Sequence, residues 1–570
     1  MDRRLKLSIV FVLAAGLLWA TGANAQLKVL NANVPAGFGQ LGYIQAATLA
    51  TPGDPNSGGT LTMNGIKMIV PNNSVVQFPA NTLHWADLFD PAVYTPIYDT
   101  AGVPVQPNMT VPAGKTGLAI FDNPTRALGT SPFLPFNANV LGNIDLKNSL
   151  GFGAGAYIVG LILPIDQDLG NGGAGFITCI DYVHGRFEVG GTLSTNANGS
   201  CGATATGTIV EINDPTGRYG WAHSPDPRFS VDSDNPTVAA GNGFPMCLPR
   251  YTPPKIDPDC PLTNRPLNPA LGAPGHDPFL PAGAPFQSFT MPASSGPGKT
   301  TPDPWKPAPL MVGDYLAYAG IMLRLKPFAG LSPTIPINQQ MYVSANTVSP
   351  DKVQVITAPC PSGTTLCTGS AGPAYMQLAR MVIGTGGSPE VVLPNAALGI
   401  VGGTIPLAEP RRNIVIDGFV TDSTALVDIF AVDIVNGQEQ KRLLGTVLPE
   451  PGFPGGKGNK GRFRFEIGKG NFLPVTRVYM AETRHGTVQV PNQTQGTIHP
   501  PQGGLLSGQY HAPMFTYQFA DPPPGFPITE QNFNTFPFLV NGEGGNPSAG
   551  PLVPLPPFCP SVAGIPTCQP

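Results

Sequence analysis

GFPGGKGNKGRFRFEIG, Gly452 to Gly468, is the stretch on which the fold class turns. Its first half is dense in glycine and lysine and invites comparison with a phosphate-binding loop. That motif needs G-x-x-x-x-G-K-[ST] between a strand and a helix, so that backbone N–H groups cradle the phosphate and the hydroxyl holds magnesium. Here Gly456-Lys457 is followed by Gly458, and Pro451 stands where the first glycine belongs. The second half decides the matter. Phe463, Phe465 and Ile467 alternate with Arg462, Arg464 and Glu466, the period-two pattern of a half-buried strand. The loop therefore joins strand to strand and is expected to be a cationic hairpin tip. Lys457, Lys460, Arg462 and Arg464 are the candidate contacts for an anionic glycan or lipid.

The strand pattern spreads outward from there. RNIVIDGFV, ALVDIFAVDIV, KRLLGTVL, GRFRFEIG and VTRVYMAET follow one another, with Asn436-Gly437 marking a tight hairpin. This spacing predicts an immunoglobulin-like sandwich over 411–490. Composition agrees. Gly 70 and Pro 68 in 570 residues leave little room for long helices, whose interiors tolerate neither, while 41% hydrophobic residues require a core. Short strands with many turns reconcile the two. The expected class is all-β, with one or a few short helices, built from tandem small barrel or OB-like and immunoglobulin-like sandwich domains joined by Pro/Gly-rich segments.

Toward the N-terminus, GGTLTMNGIKMIVP carries a hairpin around Asn64-Gly65 within a β domain expected over 26–145. In FPANTLHWADLFD, Asn81 is placed to cap a short helix that turns Leu83, Leu88 and Phe89 to the core. AYIVGLILPID, two strands around His184-Gly185 and TGTIVEIND suggest an OB-like barrel over 146–250. Residues 251–309, rich in proline and without periodicity, read as a linker or a strap over a neighbour. A β domain is expected over 310–410, and a Pro/Gly-rich tail over 491–570.

The chain opens with Arg3, Arg4 and Lys6, an apolar run from Leu7 to Ala20, and Ala23-Asn24-Ala25. The run is shorter than the ~18 residues of a spanning helix and precedes a small-x-small cleavage site. Residues 1–25 thus read as a signal peptide, with a mature chain from Gln26 that is secreted, periplasmic or at the cell surface and has no transmembrane span. The eight cysteines then predict disulfides, and consecutive pairing is favoured: Cys179–Cys201, Cys247–Cys260, Cys360–Cys367 and Cys559–Cys568. Net charge is −4 with no basic tract, which argues against nucleic-acid binding.

GFPMCLPR (Gly243 to Arg250), VGDYLAYAG (Val312 to Gly320) and GQYHAPMFTYQF (Gly508 to Phe519) resemble, in the same order, segments of a group of large secreted multi-domain β proteins of bacteria and fungi. The group is functionally uncharacterised. The resemblance implies export and β architecture, and it carries over no catalytic residue.

Motif by motif, catalysis finds little purchase. There is no G-x-S-x-G elbow and no HExxH. The metal candidates are loop residues. Asp166, Asp168 and Asn171 open like a calcium loop but lack its glutamate, and Asp232, Asp234 and Asn235 form a second acidic turn. Of the seven histidines, His485, His499 and His511 fall together in the tail and would suit copper. No cofactor is predicted; the ions these residues suggest are calcium at the acidic loop and copper or zinc at the histidines. The expected function is an exported structural or ligand-binding protein of the cell surface or extracellular space, with a glycan or protein partner and no catalytic activity identified. The alternatives are an extracellular hydrolase of polysaccharide or ester polymers and a copper-binding redox partner.

Overall fold

A computed structural model describes most residues from 36 to 518. The longer stretches outside it are 90–113, 123–135, 325–340, 358–372, 395–403, 451–460, 468–477 and 490–505, together with both chain ends. The principal strands of the first third are β1 (Ala36–Leu49), β2 (Gly59–Met63), β3 (Ile66–Val70), β4 (Val75–Gln77), β5 (Thr82–His84), β6 (Phe136–Asp145) and β7 (Ala156–Gln167). Next come β8 (Asn171–Asp181), β9 (Arg186–Val189), β10 (Thr208–Ile212), β11 (Met246–Cys247), β12 (Ser288–Thr290), β13 (Ala308–Pro309), β14 (Tyr315–Arg324), β15 (Met341–Ser349) and β16 (Gln354–Ile356). The last group is β17 (Met376–Gly384), β18 (Ile414–Val420), β19 (Val427–Val435), β20 (Gln438–Val447), β21 (Arg462–Ile467), β22 (Val478–Thr483), β23 (Gln509–Pro513) and β24 (Tyr517–Gln518). The fold is all-β. Its helical turns among the described residues are short 3-10 pieces, such as Ala86–Phe89, and none is long and apolar enough to cross a membrane.

The first sheet runs β3-β2-β1-β6-β7-β4-β5, and β3 also pairs in parallel with β7, closing a five-stranded ring. The β2–β3 hairpin has the two-residue turn its sequence demands: Asn64 and Gly65 sit at φ 50° and 76°, where Gly carries no Cβ penalty. Thr82–His84, expected as helix, is a strand edge instead. The helical turn is Ala86–Phe89, and its Asp87 carboxylate accepts from the His84 N–H at 2.8 Å, fastening the turn to the end of β5. Leu88 and Phe89 are buried as expected, and Asn81 lies outside the described residues.

A second closed barrel has the order β10-β15-β14-β8-β9. Its seam is the parallel pair β10–β15, which joins Val210 to Val343. The barrel therefore takes strands from either side of 251–309. The continuous apolar run of β7 belongs to the first barrel rather than the second, and the reason is that both its faces are covered. Val159 and Ile162 enter the first barrel's core, while Leu161 packs against the sandwich. Ile209, Phe229, Ile321, Leu323 and Tyr342 of the second barrel's region join the first barrel's apolar cluster, with Phe229 stacked on Phe136 at 5.1 Å.

Two four-stranded sheets, β21-β18-β17-β24 and β20-β19-β22-β23, enclose one core containing Met376, Ile416, Phe463, Ile429, Tyr479 and Tyr510. All five strands expected here are present, joined by β17 and two strands of the C-terminal segment. Val435 pairs with Gln438, and Asn436 and Gly437 between them lie outside the described residues.

The described residues of 251–309 pack against the second barrel as a strap. The Cys247–Cys260 disulfide ties down its start, as Cys179–Cys201 ties the second barrel. Cys360, Cys367, Cys559 and Cys568 lie outside the described residues, as do residues 1–25, the expected signal peptide. Strand β13 pairs with β11, and β12 with β16. The Asn264 amide donates to the carbonyls of Asp303, Lys306 and Pro307. Tyr182, on the barrel, donates to the Asp277 carboxylate. Arg265 forms a bidentate ion pair with Asp314 at 2.6 and 2.7 Å, both side chains fully buried.

Removing one partner of such a pair strands a buried charge. Arg265→Leu is expected to cost about 3–5 kcal/mol, read as a lower midpoint in urea, and Arg265→Leu with Asp314→Leu should recover most of the loss. A double variant as unstable as the single one would mean that the pair does not hold the strap. Replacing Cys247 and Cys260 by serine should cost about 3 kcal/mol for a loop of this size, measured the same way.

Candidate functional site

The arginine-bearing stretch of the opening sequence reaches the surface on β21. Phe463 is 1% exposed and Phe465 is also buried, so alternation turns Arg462, Arg464 and Glu466 outward. The register sets Asp417 of β18 directly between Arg380 of β17 and Arg464 of β21. Arg380 holds Asp417 through Nε and Nη2, at 2.8 and 2.7 Å. Arg462 and Arg464 approach its other oxygen at 3.8 and 3.9 Å, and Arg464 also meets Glu466 at 3.0 Å. Three guanidiniums thus surround one nearly buried carboxylate, with one exposed carboxylate at the rim. The row carries a surplus of one positive charge on rigid strands.

The loop before β21 is expected as a cationic hairpin tip, and its residues 451–460 lie outside the described residues. It leaves β20 in one sheet and enters β21 in the other. Its base is closed by the Glu450 N–H donating to the Arg462 carbonyl and the Gly461 N–H donating to that of Glu450. Gly461 sits at φ 69° with the Val420 carbonyl in the space of a Cβ, so glycine is required there. Lys457 and Lys460 lie outside the described residues.

A second polar cluster, which sequence reading missed, lies on the second barrel. His184 Nδ1 is 2.9 Å from Asp181, Arg186 bridges Asp181 and Glu211 at 3.6 and 3.9 Å, and Glu211 meets His223 Nε2 at 2.9 Å. The same imidazole nitrogen is 3.3 Å from the Tyr342 hydroxyl, at the junction with the first barrel. Trp221 covers the turn, its Nε1 donating to the Tyr182 carbonyl at 3.3 Å. The only sequence signal was the D-x-x-H spacing of Asp181 and His184 in a tight turn; Glu211 and His223 come from residues far along the chain. Hydrogen bonding to Asp181 raises the His184 pKa above its ordinary 6.5, against partial burial. Burial pushes the Asp181 carboxyl up, but the bonds and charges of His184 and Arg186 outweigh it and leave it below 3.8. The cluster strings imidazole, carboxylate and guanidinium groups in alternation from His184 to His223.

The metal candidates that are described do not come together. Asn171 donates from its amide to the Gln167 carbonyl and side-chain oxygen at 3.2 and 3.0 Å. Asp166 lies on β7 opposite Asn137, and His511 on β23 opposite Met480. Asp168, His485 and His499 are outside the described residues. Asp232 accepts from the Asn235 N–H and amide at 2.9 and 2.8 Å, which is turn chemistry. Among the described residues no three His, Cys, Asp or Glu side chains converge as metal ligands. Comparison with protein-family models, with curated proteins and with solved structures finds no match for the chain.

The His184–Asp181 pair sets a pH dependence. A histidine with a raised folded pKa contributes stability that is full below the unfolded value and lost as pH rises through the folded one. The depressed Asp181 contributes above its unfolded value and loses it as pH falls through the folded one. The pair is therefore strongest between about pH 4 and 6.5. His184→Asn should lower the melting temperature at pH 5.5 and lose that effect at pH 9. An equal decrement at both pH values would show that the pairing does not depend on the imidazolium.

Proposed function

We propose that the protein is exported and serves as a structural or ligand-binding component of the cell surface or extracellular space, holding an acidic polysaccharide on the Arg380–Arg462–Arg464 face. The observation that carries this reading is the surplus of guanidinium over carboxylate on that face. Arginine's fork matches carboxylate and sulfate groups bidentately, and strands preset its spacing. Lys457 and Lys460 precede the face in sequence and are proposed contacts of the same ligand. Export is supported by the leader-like first 25 residues, by the two disulfides, which persist in oxidising compartments, and by the resemblance to secreted β proteins. No catalytic role is assigned.

Binding of a defined oligouronate, measured by calorimetry across a salt series, tests this. The wild type should bind with an affinity that falls as salt rises. Arg462→Ser with Arg464→Ser should weaken binding about tenfold and flatten the salt dependence, leaving Arg380 to neutralise Asp417. Unchanged affinity in the double variant, or no binding by the wild type, would refute the assignment.

A further inference from the structure

Strands β8 and β14 of the second barrel present an exposed Phe176 beside a half-buried Tyr315. Register places Tyr315 directly opposite Phe176, and the rings meet edge to face with centroids 5.2 Å apart. Phe176 is 55% exposed. Lys352 Nζ stands 5.1 Å from the centre of the Tyr315 ring. Along the same face the next cross-strand pairs are Ala174 with Ala317 and Gly172 with Ala319, followed on β15 by Ser349 and Thr347. The face is thus a raised aromatic wall with a cation beside it and a flat floor of small side chains. From Phe176 to Gly172 the floor runs about 13 Å, at the usual rise of a strand.

The wall is rigidly mounted. The Ile177 N–H donates to the Asp314 carbonyl at 2.8 Å and the Gly313 N–H to that of Ile177 at 2.9 Å, so both ring-bearing strands are locked at this point. Asp314 is the partner of Arg265, and Lys352 sits between β15 and β16, the strand that pairs with the strap. Ring and cation are both placed by the strap, which lowers the cost of ordering them on binding.

We propose that this face is a saccharide-stacking site, which takes a short run of pyranose rings bearing a carboxylate or sulfate. The apolar C–H face of a pyranose packs on an exposed aromatic ring, the flat floor admits successive rings without a side chain in the way, and Lys352 supplies the charge complementary to the acidic substituent. A second copy of this chain fits the face poorly. A stable dimer needs roughly 800 Å² of buried surface on each partner, and two rings over a Gly/Ala floor offer little apolar area. The site deepens the reading given above, on which it rests for the ligand being an acidic glycan, and adds a contact that recognises the ring rather than its charge.

Three probes separate the contributions in the full chain: an oligouronate, its carboxyl-reduced neutral counterpart, and inorganic polyphosphate. Phe176→Ala, which removes an exposed ring, should weaken the oligouronate and the neutral sugar about tenfold each and leave polyphosphate unchanged. Lys352→Ser should weaken the oligouronate and spare the neutral sugar. The β21 arginine variant should weaken both anions and spare the neutral sugar. If Phe176→Ala and Tyr315→Ala leave saccharide binding intact while the arginine variant reduces it, the stacking site is wrong and the charged face stands. If the sugars are unaffected by every variant, both fall. If Phe176→Ala instead changes the sedimentation of the free protein, the face is a contact between copies and the saccharide assignment is overturned.

Discussion

The bidentate pairing of Arg265 with Asp314 is the constraint on which the second barrel's arrangement depends. Both side chains are fully buried, and two charges out of water are tolerated only when their geometry and remaining hydrogen bonds compensate the lost hydration. They do so here. Arg265 also donates to the Phe286 and Pro309 carbonyls, and Asp314 also accepts from the Met311 N–H. The pair ties a segment with few strands of its own to the first residue before β14, and so fixes where that strand begins. From there the register of β14 with both β8 and β15 follows, and with it the closure of the barrel.

What the chain's pattern makes legible is local. The Asn64-Gly65 turn, the alternation of Phe463 and Phe465 with arginines, and the five sandwich strands are each decided within about ten residues, where side-chain periodicity and turn chemistry act. The parallel pair β10–β15 is decided across more than a hundred residues, and no local preference encodes it. The proline-rich character of 251–309 reads as a linker because a strap and a linker share the same absence of periodicity. What separates them is single polar side chains, Asn264 and Arg265 above all, which satisfy carbonyls that a strand ladder would otherwise satisfy. In the candidate sites the pattern is the same. Arg462 and Arg464 were visible from alternation, whereas Asp417 and Arg380 reach them only through strand register. His184 was visible as a turn residue, and its dependence on Arg186 and Glu211 was not.

This division explains how so few charged residues, 12% of the chain, serve both stability and surface chemistry. Several of the ionic groups are spent inside: Arg228 with Asp226, Arg250 with Asp257, and Arg265 with Asp314 are all buried pairs beside loops that lack regular pairing. Such pairs replace the backbone ladder where Gly and Pro prevent one, since each guanidinium also reaches a carbonyl.

The consequence for function is stiffness. A glycine- and proline-rich chain without such pins would carry its loops as mobile connectors, and an exposed ring or arginine on it would surrender conformational entropy on every encounter. Here β21 is held in a sandwich sheet and β14 is held by the strap, so Arg464 and Tyr315 present themselves from backbones that are already fixed. The Arg265–Asp314 pair would thus serve the proposed recognition indirectly: it holds the start of the strand from which Tyr315 projects.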